Sequence, residues 1–247
     1  AAIGIGDLVT SALVRQGVRE QEARERCWFL DSKGLVVKSR DNLQEHKLPY
    51  AHDHAFLPDL LSAVETLKPT AIIGVSGQPN TFTKEVVEAM ARLNDRPIVF
   101  ALSNPTANAE CTAEEAYQWS GGNAIFASGS PFKPVAYDGR TFVPGQANNA
   151  YIFPGVGLGV LCSQATRVVD EMFFQAASAL AEQTQPESLE SGCLFPPLTA
   201  IRDVSVRIAV RVAEVAYKEG LARHRQPDDI EALVRYNMYD PEYIQWL

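Results

Sequence analysis

The spacing of apolar residues along this chain changes character twice. In residues 2–18, Ile5, Leu8, Val9, Ala12 and Leu13 recur at helical spacing and predict an opening amphipathic helix. From 56 to 127 short apolar runs at 71–75, 98–102 and 124–127 alternate with helical patterns at 57–67, 84–93 and 113–119. Runs so short and so continuously apolar are strands buried on both faces, and strands joined by helices form a parallel sheet. Another strand is expected at 26–30, stopping at Asp31. Thr112 followed by Glu115 predicts a capping box, and Asp138-Gly139 predicts a two-residue hairpin turn. Beyond Gly155 helical periodicity takes over, at 156–167, 169–184 and 200–219, with Pro186, Pro196 and Pro197 as breaks.

The strands stop in polar phrases, and the carboxyl edge of a parallel sheet is where ligands enter. Leu102-Ser103-Asn104-Pro105-Thr106 and Ala127-Ser128-Gly129-Ser130-Pro131 follow two of them, and Gly145-Gln146-Ala147-Asn148-Asn149 reads as a polar loop. The amides of Asn104, Asn148 and Asn149 donate to a carboxylate or hydroxyl and accept from a carboxamide without adding charge. Nothing in these phrases has the make-up of a nucleophile. Gly74-Val75-Ser76-Gly77-Gln78 is either a tight turn or a place where backbone approaches a ligand. Asp31 is either a turn acid, in Asp31-Ser32-Lys33-Gly34, or an acceptor for a ribose hydroxyl. Lys33, Lys38, Arg40 and Lys47 follow it, as a solvated loop or as cations that favour a phosphate.

Composition narrows the classes. A formal charge of -8 argues against nucleic acid or an anionic membrane as the main partner. Cys27, Cys111, Cys162 and Cys193 are too widely spaced for a zinc cluster or a disulfide framework, which points to a reducing compartment. The stretch 150–162 is too short and too broken by Pro154 and glycines to span a membrane. His52-Asp53-His54 lacks a third ligand at a useful spacing and reads as structural or solvated.

The wording from Ala101 to Tyr117, then Ala127 to Phe132, then Gly145 to Gly155, resembles the carboxyl-terminal, NAD(P)-binding half of the malic enzymes, a likeness running from Ala1 into the last thirty or so residues. It implies a Rossmann-like, doubly wound parallel sheet at 1–155 with a helical extension at 156–247. It also implies oxidative decarboxylation of malate to pyruvate and CO2 with reduction of NADP or NAD. By the same resemblance Ala1-Ala2 is the tail of a glycine-rich turn, so the sequence is expected to be a fragment that is inactive alone. The family's catalytic Tyr and Lys, and the acidic ligands for Mg2+ or Mn2+, are then expected upstream. Carried onto this chain, Asp31 meets the ribose, and Ser32 and Lys47 a 2′-phosphate, favouring NADP over NAD. Ser76, Gly77, Ser103, Asn104, Gly129 and Asn149 line the cofactor, and Asn104, Asn148 and Asn149 the substrate. A cytoplasmic homo-oligomer, dimer or tetramer, is expected, or an organellar one if a targeting segment precedes Ala1. The tail with Tyr236, Tyr239, Tyr243 and Trp246 serves subunit contact or internal packing. The alternative is a non-catalytic nucleotide-binding or assembly module.

Overall fold

The computed structural model describes residues 1–41 and 43–241, so Tyr243 and Trp246 lie outside the described residues. Helix α1 (Ala2–Arg15) forms where the spacing predicts one, but its buried positions are Gly6 and Thr10, and Leu8 and Val9 of the expected stripe are exposed; a short α2 (Glu20–Glu25) packs beside it. A Cβ at Gly6 would lie 2.6 Å from the Phe29 ring, so glycine is what lets α1 settle on that ring. Tyr50, fully buried there, donates to Asp7 at 2.7 Å.

The strand expected at 26–30 takes another form. Leu30–Asp31 (β1) pairs antiparallel with Gly34–Leu35 (β2), and the Val36 N–H donates to the Phe29 carbonyl at 2.8 Å. The turn residues decide this. The Asp31 carboxylate accepts from the Lys33 N–H at 2.9 Å, and Gly34 adopts φ 101, so the chain folds back and spends its backbone groups in a hairpin.

The main sheet is built as the alternation predicts. Helix α3 (Leu60–Leu67) starts on Asp59, whose side chain accepts from the Ser62 N–H. It leads to β3 (Ala71–Gly74), then α4 (Lys84–Leu93), β4 (Ile98–Ala101), α5 (Ala113–Trp119) and β5 (Ile125–Ser128). The capping box of Thr112 and Glu115 is formed. β6 (Val135–Tyr137) and β7 (Arg140–Phe142) make the hairpin, with Asp138 at φ 49 and Gly139 at φ 71, the two positive values that a twisted two-residue turn needs. The expected polar loop begins instead as a strand, β8 (Gly145–Gln146), parallel to β5. The order β3-β4-β5-β8 gives a Rossmann-like parallel sheet. Ile72, Val99 and Phe126 point from adjacent strands into a core with Val64, Val87, Met90 and Tyr117. Each such burial contributes about 1.5–3 kcal/mol.

By its contacts the chain forms two compact units, Ala1–Ala147 with Glu190–Cys193, and Asn148–Leu189 with Leu194–Leu247. The second is helical: α6 (Phe153–Ser163), α7 (Asp170–Ala181), the short α8 (Pro186–Glu190), α9 (Ile201–Lys218) and α10 (Ile230–Asn237). Its centre is α6 against α9. A Cβ at Gly155 would lie 2.6 Å from Ile208, and one at Gly159 would lie 2.6 Å from the Ala209 carbonyl, so these glycines set how near the helices come. Among the described residues no helix is long and apolar enough to cross a membrane.

Candidate functional site

Register brings the polar phrases to one level. Gly74 is opposite Ala101, Ala101 opposite Ser128, and Ser128 opposite Gln146, so four strands finish on a common rung. One more hydrogen bond per pair carries the chain over the edge: Leu102 N–H to Gly74 at 2.9 Å, Gly129 N–H to Ala101 at 3.1 Å and Ala147 N–H to Ser128 at 2.8 Å. Ser76-Gly77, Ser103-Asn104 and Gly129-Ser130 therefore leave neighbouring strands side by side, at the edge where open α/β sheets bind ligands.

Beneath the first two lies a carboxylate that the sequence reading left unassigned. Glu110 is fully buried. Its Oε1 accepts from the Ser103 hydroxyl at 2.5 Å and its Oε2 from the Ser103 N–H at 3.3 Å. The same Ser103 oxygen accepts from the Gly77 N–H at 2.9 Å. Ser103, itself buried, thus turns its hydroxyl inward. Gly74 makes the space: a Cβ there would lie 2.3 Å from Glu110 Cδ. Gly77, at φ 69, bends the exposed loop above, where the Ser76 hydroxyl accepts from the Gln78 N–H at 3.3 Å. The signal for Glu110 was present in the sequence, as a lone acid between the small apolar Ala109 and Cys111.

Asn104 is exposed at the mouth, yet oriented. Its Oδ1 accepts from the Ser130 hydroxyl at 2.5 Å, and the Ser130 carbonyl in turn accepts from the Ser128 hydroxyl at 2.7 Å. Gly129 is the seat for this amide, since a Cβ there would lie 2.7 Å from Asn104 Nδ2 and 2.3 Å from the Leu102 carbonyl. With the oxygen engaged, the NH2 is the side left to donate to a ligand.

Asp31 gathers its cations. Lys47 Nζ lies 2.7 Å and Arg40 3.0 Å from its carboxylate, all three side chains being largely covered. Arg40 also donates to the Gly34 and Leu35 carbonyls, at 3.1 and 3.3 Å. Burial pushes the Asp31 carboxyl up, but the hydrogen bonds from Lys47, the Lys33 N–H and Arg40 outweigh it and hold the group down at about 2. One carboxylate against two cations leaves this corner with a surplus positive charge. Ser32 is exposed beside it, and Lys33 and Lys38 are exposed to solvent.

Asn148 and Asn149 open the helical unit. The Asn148 side chain accepts from the Ala150 N–H at 2.9 Å and caps the short turn Asn149–Tyr151. The exposed Asn149 amide makes no hydrogen bond to the described residues. His52 and His54 are structural: both pack edge-on to Trp28, and His52 Nε2 is 2.8 Å from the Cys27 carbonyl. Among the described residues no group of three or more His, Cys, Asp or Glu is placed to hold a metal ion. Cys27, Cys111 and Cys162 are free thiols.

A family model described as malic enzyme, NAD binding domain, matches residues 1–217. The chain belongs to this malic enzyme family. It is 52% identical over 246 residues to NADP-dependent malic enzyme 4, chloroplastic, of Arabidopsis thaliana, covering 98% of this chain and 38% of that protein. It is 53% identical to the NADP-dependent malic enzyme of Phaseolus vulgaris, over 98% of this chain and 42% of that one. The crystal structure of the Entamoeba histolytica malic enzyme superposes with a TM-score of 0.64 at 24% identity, over 84% of this chain and 40% of that one, and shares the fold. The malic enzyme chain here thus spans about two fifths of the length of these relatives.

Proposed function

We propose that this chain is the dinucleotide-binding part of an enzyme that oxidatively decarboxylates malate to pyruvate and CO2 with NADP. The observation that carries the proposal is the common rung, which sets Ser76-Gly77, Ser103-Asn104 and Gly129-Ser130 on adjacent strand ends of a malic enzyme domain. The bound dinucleotide supplies the hydride acceptor. The residues of this chain do positional work. The Asn104 NH2, its oxygen fixed by Ser130, donates to a malate oxygen or to the nicotinamide carboxamide and holds the reacting carbons in line. Gly77 and Gly129 let backbone approach the cofactor. The exposed Asn149 amide, on a turn capped by Asn148, is assigned to substrate and cofactor by the family resemblance alone. Asp31 accepts from the adenosine ribose, and Lys47, with Ser32 beside it, receives the 2′-phosphate. The surplus charge at Asp31, Lys47 and Arg40, and the NADP-dependent relatives, support NADP over NAD. Mg2+ or Mn2+ belongs to the same proposal with its acidic ligands outside this chain, since among the described residues no group of three or more His, Cys, Asp or Glu is placed to hold a metal ion. An organellar homo-oligomer belongs to the same proposal, supported in its compartment by relatives named as chloroplastic.

The test is Asn104→Ala in the complete enzyme. The expected result is a loss of kcat/KM for malate on the order of 10- to 1000-fold with an unchanged Tm. A lowered Tm with unchanged kcat/KM would make Asn104 a turn residue and remove this reading of the edge.

A further inference from the structure

We infer that Glu110 is a positioning residue of the dinucleotide site: through the Ser103 hydroxyl its buried carboxylate holds the Gly77 N–H, and so fixes the loops after β3 and β4 as one surface. The inference rests on the reading of this edge as the dinucleotide site.

A backbone N–H only donates, so the Ser103 oxygen, 2.9 Å from the Gly77 nitrogen, is an acceptor there. Its single proton then points the other way, to Glu110 Oε1 at 2.5 Å, while the Ser103 N–H goes to Oε2 at 3.3 Å. No cation pairs with Glu110 among the described residues, although it is fully buried. A carboxylate so placed is costly, and a hydrophobic residue would fill the space at less cost. What the carboxylate adds is direction: it dictates the rotamer of one hydroxyl, and that hydroxyl ties Gly77 to Ser103 at the near ends of two loops whose far parts are joined by Asn80 N–H to the Ala109 carbonyl at 3.3 Å and Phe82 N–H to the Glu110 carbonyl at 3.0 Å. Gly74 is part of the device, because only a residue without Cβ leaves room for the Glu110 side chain above β3.

Leucine is the discriminating substitution. It fills a similar space but accepts no hydrogen bond, so the Ser103 hydroxyl loses the partner that orients it, whereas glutamine can keep the link by donating to the Ser103 oxygen. In the complete enzyme, Glu110→Leu should raise KM for the dinucleotide about 10-fold, as loss of one or two such bonds does, with a smaller change in KM for malate. Ser103→Ala should do the same, and the double variant should be no worse than either single one, because both remove the same link. Ser103→Ala also serves where Glu110→Leu folds poorly. Changes that add, or a lowered Tm with unchanged dinucleotide KM in both single variants, would overturn the inference and leave Glu110 a core residue. If the wild-type enzyme binds no dinucleotide, or if Asn104→Ala leaves kcat/KM unmoved, the reading beneath it fails instead and takes this inference with it.

Discussion

Two carboxylates in the sheet unit are held in opposite ways. Asp31 keeps about a fifth of its side chain in solvent and is met by two cations within 3.0 Å. Glu110 is fully buried and is met by one serine. The first arrangement tolerates change, because water and a second cation remain when one partner is lost. The second does not, since a buried acceptor without its donor bears the full cost of desolvation.

The strongest way to break the contrast is Gly74→Ala, which brings a methyl to within 2.3 Å of Glu110 Cδ. The backbone of β3 cannot yield without losing its ladder to β4, so Glu110 must move, at a cost of about 3 kcal/mol. Chemical denaturation should show that loss, and Gly77→Ala, whose Cβ meets nothing within 4 Å, should cost less despite its positive φ. Acid sharpens the comparison next. The Asp31 carboxyl sits at about 2, below its ordinary 3.8, so its contribution is complete above about pH 4 and is lost as pH falls towards 2. That contribution is about 2 kcal/mol, and an acid melt of wild type against Asp31→Asn should show the wild-type advantage shrinking through this window. The smallest effect belongs to Lys47→Ala. Arg40 still pairs with Asp31, so stability should change little, but KM for NADP should rise about 10-fold while KM for NAD stays within about 2-fold. Equal losses with both cofactors would reduce Lys47 to a partner of Asp31.

What the sequence made legible was whatever local chemistry decides. The bounds of α4 and α5 are those read from spacing and caps, and the Asp138-Gly139 turn is where its residue types demand it. What it hid depends on partners distant in sequence. Gly145-Gln146 carries no apolar signal and becomes a strand only because β5 offers an open edge. The run at 26–30 has strand composition but finds its partner in its own turn. Helix α10 was read as tail, although Asp229 caps it and Ile230 and Val234 recur at helical spacing on its buried side. Among the expected ligand residues, the amides of Asn104 and Asn149 stand out by position in the sequence, whereas the clasp of Asp31 by Arg40 and Lys47 needs the hairpin fold-back to bring residues 9 and 16 positions apart together. Of the two neighbouring asparagines, the cap is Asn148, a choice that composition alone does not make.

The common rung has a consequence for how such a chain tolerates insertions and deletions. Between strands, the connections that flank α3, α4 and α5 set only how the chain returns, and a residue more or less in those connections is taken up on the surface. Within 71–74, 98–101 or 125–128 a single added residue turns the side chains beyond it to the opposite face and carries the following loop about 3.3 Å past its neighbours. Gly74 would no longer lie under Glu110, nor Gly129 under Asn104. The strands are the gauge to which the loops are cut, and length variation among relatives of this chain belongs in the connections and not in the gauge.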